Sequence, residues 1–325
     1  MTILVTGAPG WLGNCLVEKL IKEGKKVRCL VLPGLDLTPL EKMGAEVIYG
    51  DVTKKESLLP ACEKITTVIH AAGIIHPKRV KDFYRINAEG TKNILEAAVA
   101  KKVKKFIYIS SNSAQGCNKY RSQLMKEEHQ EHPEKGYGKS KYLAEQAVRD
   151  YQQRGVIQTV ILRPCWFYGP GQPDRMTKLM SMIKSGRPII FGDGKNIRSM
   201  TYIGNLVQGV MLAENKEIAN GKTYWIADKQ QYTTIEIYRE IARQLSVELR
   251  PRHVPRFVSW CFEIADDILQ FIGLYNINFH VAGEMVKDIA CDTSKARQEL
   301  GYEPKISLAV GMKNSIAWAK KEGLL

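Results

Sequence analysis

A tyrosine and a lysine stand four residues apart where a helix is predicted to begin. The stretch 137–146 reads Tyr-Gly-Lys-Ser-Lys-Tyr-Leu-Ala-Glu-Gln, so Tyr137 and Lys141 share one face of that helix. Because a nearby ammonium favours the phenolate, we expect Lys141 to lower the pKa of Tyr137 from its usual ~10. Such a tyrosine can act as a general acid or base. The pair alone is a common coincidence, so its meaning depends on what lies nearby.

Hydroxyl side chains follow a predicted strand upstream of this pair. The apolar run at 106–109 ends at Ser110 and Ser111, with Ser113 close behind. In open α/β sheets, ligands bind at the carboxyl ends of the strands, which is where these hydroxyls are expected. The combination predicts a serine, tyrosine and lysine site in which a proton moves to or from a substrate oxygen.

A glycine-rich turn stands at the start of the chain. Residues 6–13 read Thr-Gly-Ala-Pro-Gly-Trp-Leu-Gly, so Gly7, Gly10 and Gly13 follow the first predicted strand and open the first predicted helix. Such glycines permit a tight turn, close approach of a pyrophosphate to the backbone, and close packing of helix on strand. A plain strand–turn–helix connection can have the same spacing, but its position before a strand–helix series favours a dinucleotide site.

The end of the second predicted strand bears on which dinucleotide binds. An acid there favours NAD and an arginine favours NADP, but residues 31–33 are Val-Leu-Pro. Asp36 lies further along the chain and is expected to cap the following turn. We therefore expect NAD. NADP is the alternative, because Lys25, Lys26 and Arg28 are near in sequence.

Short apolar strands alternate with helix-length segments over the first half of the chain. This alternation predicts a parallel, doubly wound sheet, which is the α/β Rossmann fold. We expect residues 1–165 to form the dinucleotide-binding domain and 166–325 a smaller, partly interleaved substrate-binding domain. Segments near 199–227 are expected to return to the first domain. The predicted strands span 2–6, 26–32, 45–49, 67–70, 106–110, 159–163 and 223–227.

The composition limits the class of protein and of ligand. The 325 residues are 44% hydrophobic and 25% charged, as in an ordinary globular protein. The seven cysteines are scattered without zinc-ligand spacing, so we expect no metal, and reduced thiols in a cytoplasm. Neither a signal-peptide pattern nor a transmembrane segment is found. The net charge of +14 suits an anionic small molecule, whereas nucleic acid is disfavoured because the basic residues are dispersed.

Together these motifs resemble the extended short-chain dehydrogenases/reductases, also called the NAD-dependent epimerase/dehydratase superfamily, over nearly the whole chain. The residues that carry the resemblance are Gly7, Gly10 and Gly13, Gly50-Asp51-Val52, His70-Ala71-Ala72-Gly73, Asn87 with Gly90-Thr91, Ser110-Ser111, Tyr137 with Lys141, and Leu162-Arg163-Pro164 leading to Tyr168-Gly169-Pro170.

The resemblance implies roles for these residues. Tyr137 would exchange the proton of a substrate hydroxyl, and Ser111 would hydrogen-bond the substrate oxygen, with Ser113 as the second choice. Lys141 would hold the nicotinamide ribose, and Asp51 the adenine. The resemblance also implies a homodimer through the helices near 83–101 and 137–153. The cofactor contacts that it implies are Gly7, Gly10, Trp11, Leu12, Gly13, Asp51, Val52, Ala71, Ala72, Gly73, Tyr137, Lys141 and Pro164.

The substrate is less clearly indicated. Arg198 resembles the family arginine that binds the diphosphate of a nucleotide sugar. Ser113 and Trp166 are expected to be further substrate contacts. Many nucleotide-sugar enzymes have asparagine where Trp166 stands, so the alternative is a 3β-hydroxysteroid-dehydrogenase-like enzyme for a hydrophobic alcohol or ketone. Sugar dehydratases carry an acidic pair where Asn112 and Ser113 stand, so a dehydratase is disfavoured. A third hypothesis is a non-catalytic NAD(P)-binding sensor.

The segment 250–275 combines basic residues with a broad apolar helix pattern. Arg250, Arg252, His253 and Arg256 precede Phe257, Trp260, Cys261, Ile264, Ile268, Leu269 and Ile272. We expect this stripe to pack onto the second domain and to cover the substrate site. A helix lying on a membrane surface would have a similar pattern, so surface membrane contact is the alternative.

Overall fold

The computed structural model describes residues 1–325, and its largest element is a seven-stranded sheet. The strands are β1 (Thr2–Thr6), β2 (Lys26–Val31), β3 (Glu46–Tyr49), β4 (Thr67–His70), β5 (Lys105–Ile109), β6 (Gln158–Pro164), β7 (Trp166–Tyr168), β8 (Ile189–Phe191), β9 (Ile197–Tyr202), β10 (Lys222–Ile226), β11 (Gln231–Thr233) and β12 (Arg252–Val254). The order in the sheet is β10-β6-β5-β4-β1-β2-β3, and all neighbours are parallel. The predicted doubly wound α/β fold is therefore confirmed, and each predicted strand ends within one residue of an observed one.

Helices cover both faces of this sheet. They are α1 (Trp11–Lys22), α2 (Thr38–Met43), α3 (Leu58–Ala61), α4 (Val80–Phe83), α5 (Gly90–Ala100), α6 (Tyr137–Gln153), α7 (Asp174–Lys184), α8 (Ile203–Asn215), α9 (Thr234–Leu245), α10 (Arg256–Phe271), α11 (Ile277–Glu284), α12 (Ser294–Leu300) and α13 (Leu308–Lys321). A π-helical turn, Tyr84–Glu89, joins α4 to α5.

Two hydrophobic cores lie on opposite faces of the sheet. Ile3 and Val5 of β1 belong to the core that contains Leu16 of α1, whereas Leu4 belongs to the core that contains Ile94 of α5. Successive side chains of a strand point to opposite faces, so a strand buried on both sides must be apolar throughout. This burial explains why the central strands lack a polar–apolar alternation.

The second half of the chain builds smaller sheets beside the first. A three-stranded sheet has the order β11-β9-β7, and β8 pairs with β12. A third core, which includes Met180 of α7, Ile241 of α9 and Met312 of α13, packs there. Of the stretch near 199–227, β10 lies at the edge of the seven-stranded sheet, whereas β9 belongs to the three-stranded one.

Helix α10 differs from the expectation that its apolar stripe is buried. Phe257, Trp260 and Phe271 are 64%, 62% and 92% exposed, whereas Ser259 and Asp266 of the same helix are buried. The expected packing of the stripe onto the second domain is therefore wrong. The helix instead turns Ser259, Asp266 and Gln270 inward, where each makes a side-chain hydrogen bond. None of the helices is both long and apolar enough to cross a membrane.

Candidate active site

The predicted site residues Ser111 and Pro164 lie at the carboxyl ends of neighbouring strands. β4, β5 and β6 lie side by side and parallel, so the residues after their carboxyl ends are neighbours in space. Ser111 follows β5, Pro164 ends β6, and Tyr137 begins α6 after a long loop. Parallel pairing thus brings together residues that are far apart in sequence.

Tyr137 and the two serines meet through an unusually close backbone approach. A Cβ atom on Gly138 would lie 2.4 Å from the carbonyl oxygen of Ser113, so only glycine lets the first turn of α6 come this near. Ser111 accepts a hydrogen bond from the Ser113 backbone N–H at 3.2 Å, and the two Oγ atoms are 3.4 Å apart. Ser111, Ser113 and Tyr137 all line one cavity.

The pKa of Tyr137 moves in the direction opposite to the expectation. Burial raises it to about 12, the Ser111 hydroxyl opposes this shift, and the Glu284 carboxylate adds to it. Lys141 does not reverse the shift, because its ammonium donates to the carbonyl oxygen of Ile109 at 2.7 Å and lies 4.3 Å from the centre of the Tyr108 ring. Burial also lowers the pKa of Lys141 to about 7, against the opposing carboxylate of Glu145. The expectation that Lys141 lowers the pKa of Tyr137 is therefore wrong for this structure.

A buried ion network supports α6 from behind. Arg163 of β6 is fully buried and donates from Nε to Oε1 of Glu145 at 2.9 Å, and from an Nη atom to Oε2 of the same carboxylate at 2.6 Å. Arg163 also bonds Glu131, and Ser110 donates to Glu145 at 2.5 Å. Although burial would raise the pKa of Glu145, Arg163 holds it below its usual range. The network ties α6 to the ends of β5 and β6.

The glycine-rich turn fits a pyrophosphate. Gly7 has φ +90°, and a Cβ atom there would lie 2.7 Å from the Ala71 carbonyl carbon, so the turn packs directly on the loop after β4. Gly10 precedes α1, and no side chain caps the helix. The first N–H groups of a helix have no partner within it and favour an anion. The donors present at Trp11, Leu12 and Gly13 therefore suit a dinucleotide diphosphate.

Neighbouring loops hold the other residues of the expected cofactor site. The Ala72 N–H donates to Thr6 Oγ1 at 3.2 Å, and the next residue, Gly73, lies close to Asn87. Asp51 accepts hydrogen bonds from the Thr53 backbone N–H and hydroxyl through one carboxylate oxygen. Val52 is buried after β3.

Arg28, in the first half of β2, is engaged by other protein groups. Arg28 donates from Nε to Glu46 at 2.8 Å and from Nη1 to the carbonyl oxygen of Glu63 at 2.8 Å. Asp36 accepts the backbone N–H of Thr38 at 3.0 Å, which confirms that it caps the following turn. The Arg28 guanidinium is thus held by protein acceptors.

The cavity beside Tyr137 has a volume of about 290 Å³ and carries cationic groups. Arg198 is buried and donates to the carbonyl oxygen of Glu284 at 2.7 Å, but its Nε has no hydrogen-bond partner. Arg175 and Arg198 lie 5.1 and 5.8 Å from the Trp166 ring centre. Trp11, Ser113, Pro164, Trp166 and Arg198, which the sequence assigned to cofactor or substrate, all line this cavity.

Sequence reasoning missed a polar cluster that faces Tyr137 from α11. His280 and Glu284 line the cavity, and their side chains lie with that of Glu134 so that the donor atoms are within 4.8 Å of one another. Burial and the neighbouring Glu134 carboxylate raise the pKa of Glu284 to about 7. A cation could be held by these donors, although the Lys287 ammonium already lies 2.9 Å from Glu134. The i, i+4 spacing of His280 and Glu284 was the only signal for this cluster in the sequence.

The chain is similar to known proteins over nearly its whole length. The sequence model of the "3-beta hydroxysteroid dehydrogenase/isomerase family" matches residues 4–256. Protein y4nL of Sinorhizobium fredii (strain NBRC 101917 / NGR234), described as uncharacterized, is 40% identical over 340 residues, covering 99% of this chain and 96% of its own length. The UDP-glucose 4-epimerase of Vibrio cholerae is 28% identical, over 97% of this chain and 94% of its own length. The structure of UDP-glucuronic acid 4-epimerase from Bacillus cereus, in complex with UDP-glucuronic acid and NAD, has a TM-score of 0.79 at 25% identity, covering 99% of this chain and all of that one.

Proposed function

We propose that this chain, which belongs to the 3-beta hydroxysteroid dehydrogenase/isomerase family within the extended short-chain dehydrogenases/reductases, is an NAD-dependent oxidoreductase or epimerase of a nucleotide-diphosphate sugar. The observation that carries this proposal is the buried Arg198 in the cavity that Tyr137 also lines. Its unpartnered Nε calls for an acceptor, and a diphosphate oxygen is an acceptor that guanidinium binds well. The epimerase activity of the Vibrio cholerae relative supports the same class of substrate.

The residues around the cavity have distinct roles in this proposal. NAD, when bound, would accept a hydride from the carbon that bears the reacting hydroxyl. Tyr137 would exchange the hydroxyl proton, and Ser111 would hold the substrate oxygen beside it. In this oxidation Tyr137 would act as the phenolate that accepts the hydroxyl proton. In the reverse direction the neutral phenol, which its raised pKa of about 12 favours at neutral pH, would donate that proton to the ketone oxygen as the hydride returns to the carbon. Lys141 would hold the ribose, and Asp51 the adenine.

NAD rather than NADP is supported by the engaged Arg28 and by the NAD in the Bacillus cereus complex. We expect NAD to raise the melting temperature, since a ligand at about 100 times Kd adds about 2.7 kcal/mol of stability. NADP should raise the melting temperature less than NAD does at equal concentration. As a matched variant, Leu32→Arg places a guanidinium just after β2, at an exposed position, and should increase the response to NADP. Indifference of the wild type to millimolar NAD and NADP alike would contradict the cofactor assignment.

Arg198→Ala should weaken binding of UDP-glucose, used here as the probe, by about tenfold or more. Charge-assisted hydrogen bonds to phosphate contribute roughly 1.5–3 kcal/mol, and tenfold corresponds to ~1.4 kcal/mol. Isothermal titration in the presence of NAD measures the effect. Arg198→Lys, which keeps the charge, should bind better than Arg198→Ala, and the exposed Arg239→Ala is the control. If a folded Arg198→Ala variant binds UDP-glucose with unchanged affinity, Arg198 does not bind the diphosphate.

A second candidate is a dehydrogenase or reductase of a hydrophobic alcohol or ketone. It is supported by the description of the matching family and by apolar cavity residues, among them Trp166, Phe167 and Met176. Thermal shift and NADH absorbance with UDP-sugars beside a 3β-hydroxysteroid distinguish the two. A response to the steroid alone would favour this second candidate.

A further inference from the structure

Helix α10 has its amphipathic faces reversed relative to an ordinary surface helix. Its buried side chains are the polar Ser259, Asp266 and Gln270, and beside them the partly buried Phe262 packs against Phe191 and Phe279. Its outward face carries large apolar side chains at intervals of three and four residues, which places them on one stripe. We call this set the α10 stripe: Phe257, Trp260, Ile264, Ile268 and Phe271, all exposed.

The polar face has a structural reason to point inward. Gln270 donates to Asp266 Oδ2 at 2.8 Å, and Asp266 also pairs with Nδ1 of His280 at 2.9 Å. Because His280 lines the cavity, α10 supports the site with its polar side chains. This requirement accounts for the polar face but not for the aromatic and branched side chains directed at solvent.

Exposed apolar side chains also follow the end of α10. Ile272 and Leu274 are 61% and 49% exposed. Leu274 pairs with Arg79, next to the segment that contains the exposed Ile75, and Ile75 lines the cavity. Exposed apolar side chains grouped in this way are typical of a surface that binds a partner or a membrane.

Basic side chains border the α10 stripe at both ends. Arg252 and Arg256 are exposed at its start, while Lys78 and Arg79 are exposed beside its end, where the Tyr275 N–H donates to the Lys78 carbonyl oxygen. The acidic side chains of the helix are engaged elsewhere. Their partners are Lys287 for Glu263, Lys135 for Asp267, and Gln270 and His280 for Asp266.

We propose that the α10 stripe and its basic borders form a docking surface for an anionic phospholipid bilayer, with α10 lying in the plane of the interface. Apolar side chains on one face, flanked by arginine and lysine, are the features that bind helices to such interfaces. A second copy of this chain fits less well. In either two-fold arrangement the basic borders of one copy would meet those of the other, and like charges in an interface are destabilising.

Vesicle binding tests the proposal. Wild-type protein should co-sediment with vesicles of 70:30 phosphatidylcholine and phosphatidylglycerol, and binding should fall at least tenfold on pure phosphatidylcholine. Trp260→Ser/Phe271→Ser should lower the partition coefficient on anionic vesicles at least tenfold. Tyr49→Ser/Ile218→Ser, which removes two similarly exposed apolar side chains outside the stripe, should leave it unchanged. Equal binding by the two double variants, or no binding by wild type at any lipid concentration, would overturn the proposal.

The charged borders and the competing occupant are tested separately. Arg252→Gln/Arg256→Gln should weaken binding to anionic vesicles about tenfold and leave the weak binding to neutral vesicles unchanged. Tryptophan fluorescence should shift to the blue on anionic vesicles, because the Trp260 side chain leaves water, and Trp260→Ser should abolish this shift although the other four tryptophans remain. A dimer by light scattering that Trp260→Ser/Phe271→Ser converts to a monomer would show instead that a second copy covers the stripe.

Discussion

Tyr137→Phe is expected to lower kcat by about 10² to 10⁴ fold while leaving NAD affinity nearly unchanged. The substitution removes only the phenolic oxygen, and a positioned acid or base contributes an acceleration of about this size. The glycine turn before α1 and Asp51 remain in place, so binding of the nucleotide is retained. Turnover of a panel of UDP-sugars, followed by NADH absorbance and product analysis, together with NAD titration, measures the two effects.

Tyr142→Phe provides a matched control for this prediction. Tyr142 lies on the same helix, five residues further on, and its ring contacts the Lys139 ammonium at 4.7 Å, away from the cavity lining. Loss of the Tyr142 hydroxyl should leave kcat within about twofold of the wild-type value. Retention of wild-type turnover by a folded Tyr137→Phe enzyme would remove this tyrosine from proton transfer and would favour Glu284 or another cavity group instead.

Arg163→Met is expected to cost about 3–5 kcal/mol in the free energy of unfolding at pH 7. The substitution leaves the fully buried Glu145 without its principal cation, and breaking one side of a buried pair costs about this much. Chemical denaturation measures the loss. Arg243→Met is the control, because the Arg243 side chain is 63% exposed in its pair with Glu240 and such pairs contribute roughly 0.2–1 kcal/mol.

The cost of Arg163→Met should depend on pH. The folded-state pKa of Glu145 lies below its unfolded value, so the network stabilises the fold fully above about pH 4.3 and less as the pH falls through the folded pKa. In the variant, a protonated Glu145 no longer buries a charge. The difference in the free energy of unfolding between the wild type and Arg163→Met should therefore become smaller as the pH falls. A cost that is small at pH 7, or that does not change with pH, would contradict this account of the network.

The sequence alone determined the main sheet and its glycine turn. Strands buried on both faces must be apolar over their whole length, and the alternation with helices leaves little choice of topology. Gly7, Gly10 and Gly13 were recognisable because a tight turn and a close helix tolerate no side chain. Tyr137 and Lys141 were recognisable because the helix period places them on one face.

Only the tertiary structure decided the electrostatics of the site. The pKa of Tyr137 depends on burial and on Ser111 and Glu284, which come from other elements. Lys141 bonds a carbonyl of β5 rather than the phenol, because strand and helix meet behind the site. A pattern along the sequence does not show which groups of other elements lie near a side chain, and the pKa of that side chain depends on those groups.

The same physical reason explains the orientation of α10. The helix period showed an apolar stripe, but periodicity determines which residues share a face and not which face meets the protein. Asp266 and Gln270 are buried where Asp266 pairs with His280 of a separate helix and accepts a hydrogen bond from Gln270. Burial is a property of the whole assembly of elements, so the exposure of Phe257, Trp260 and Phe271 emerged only when the elements were packed together.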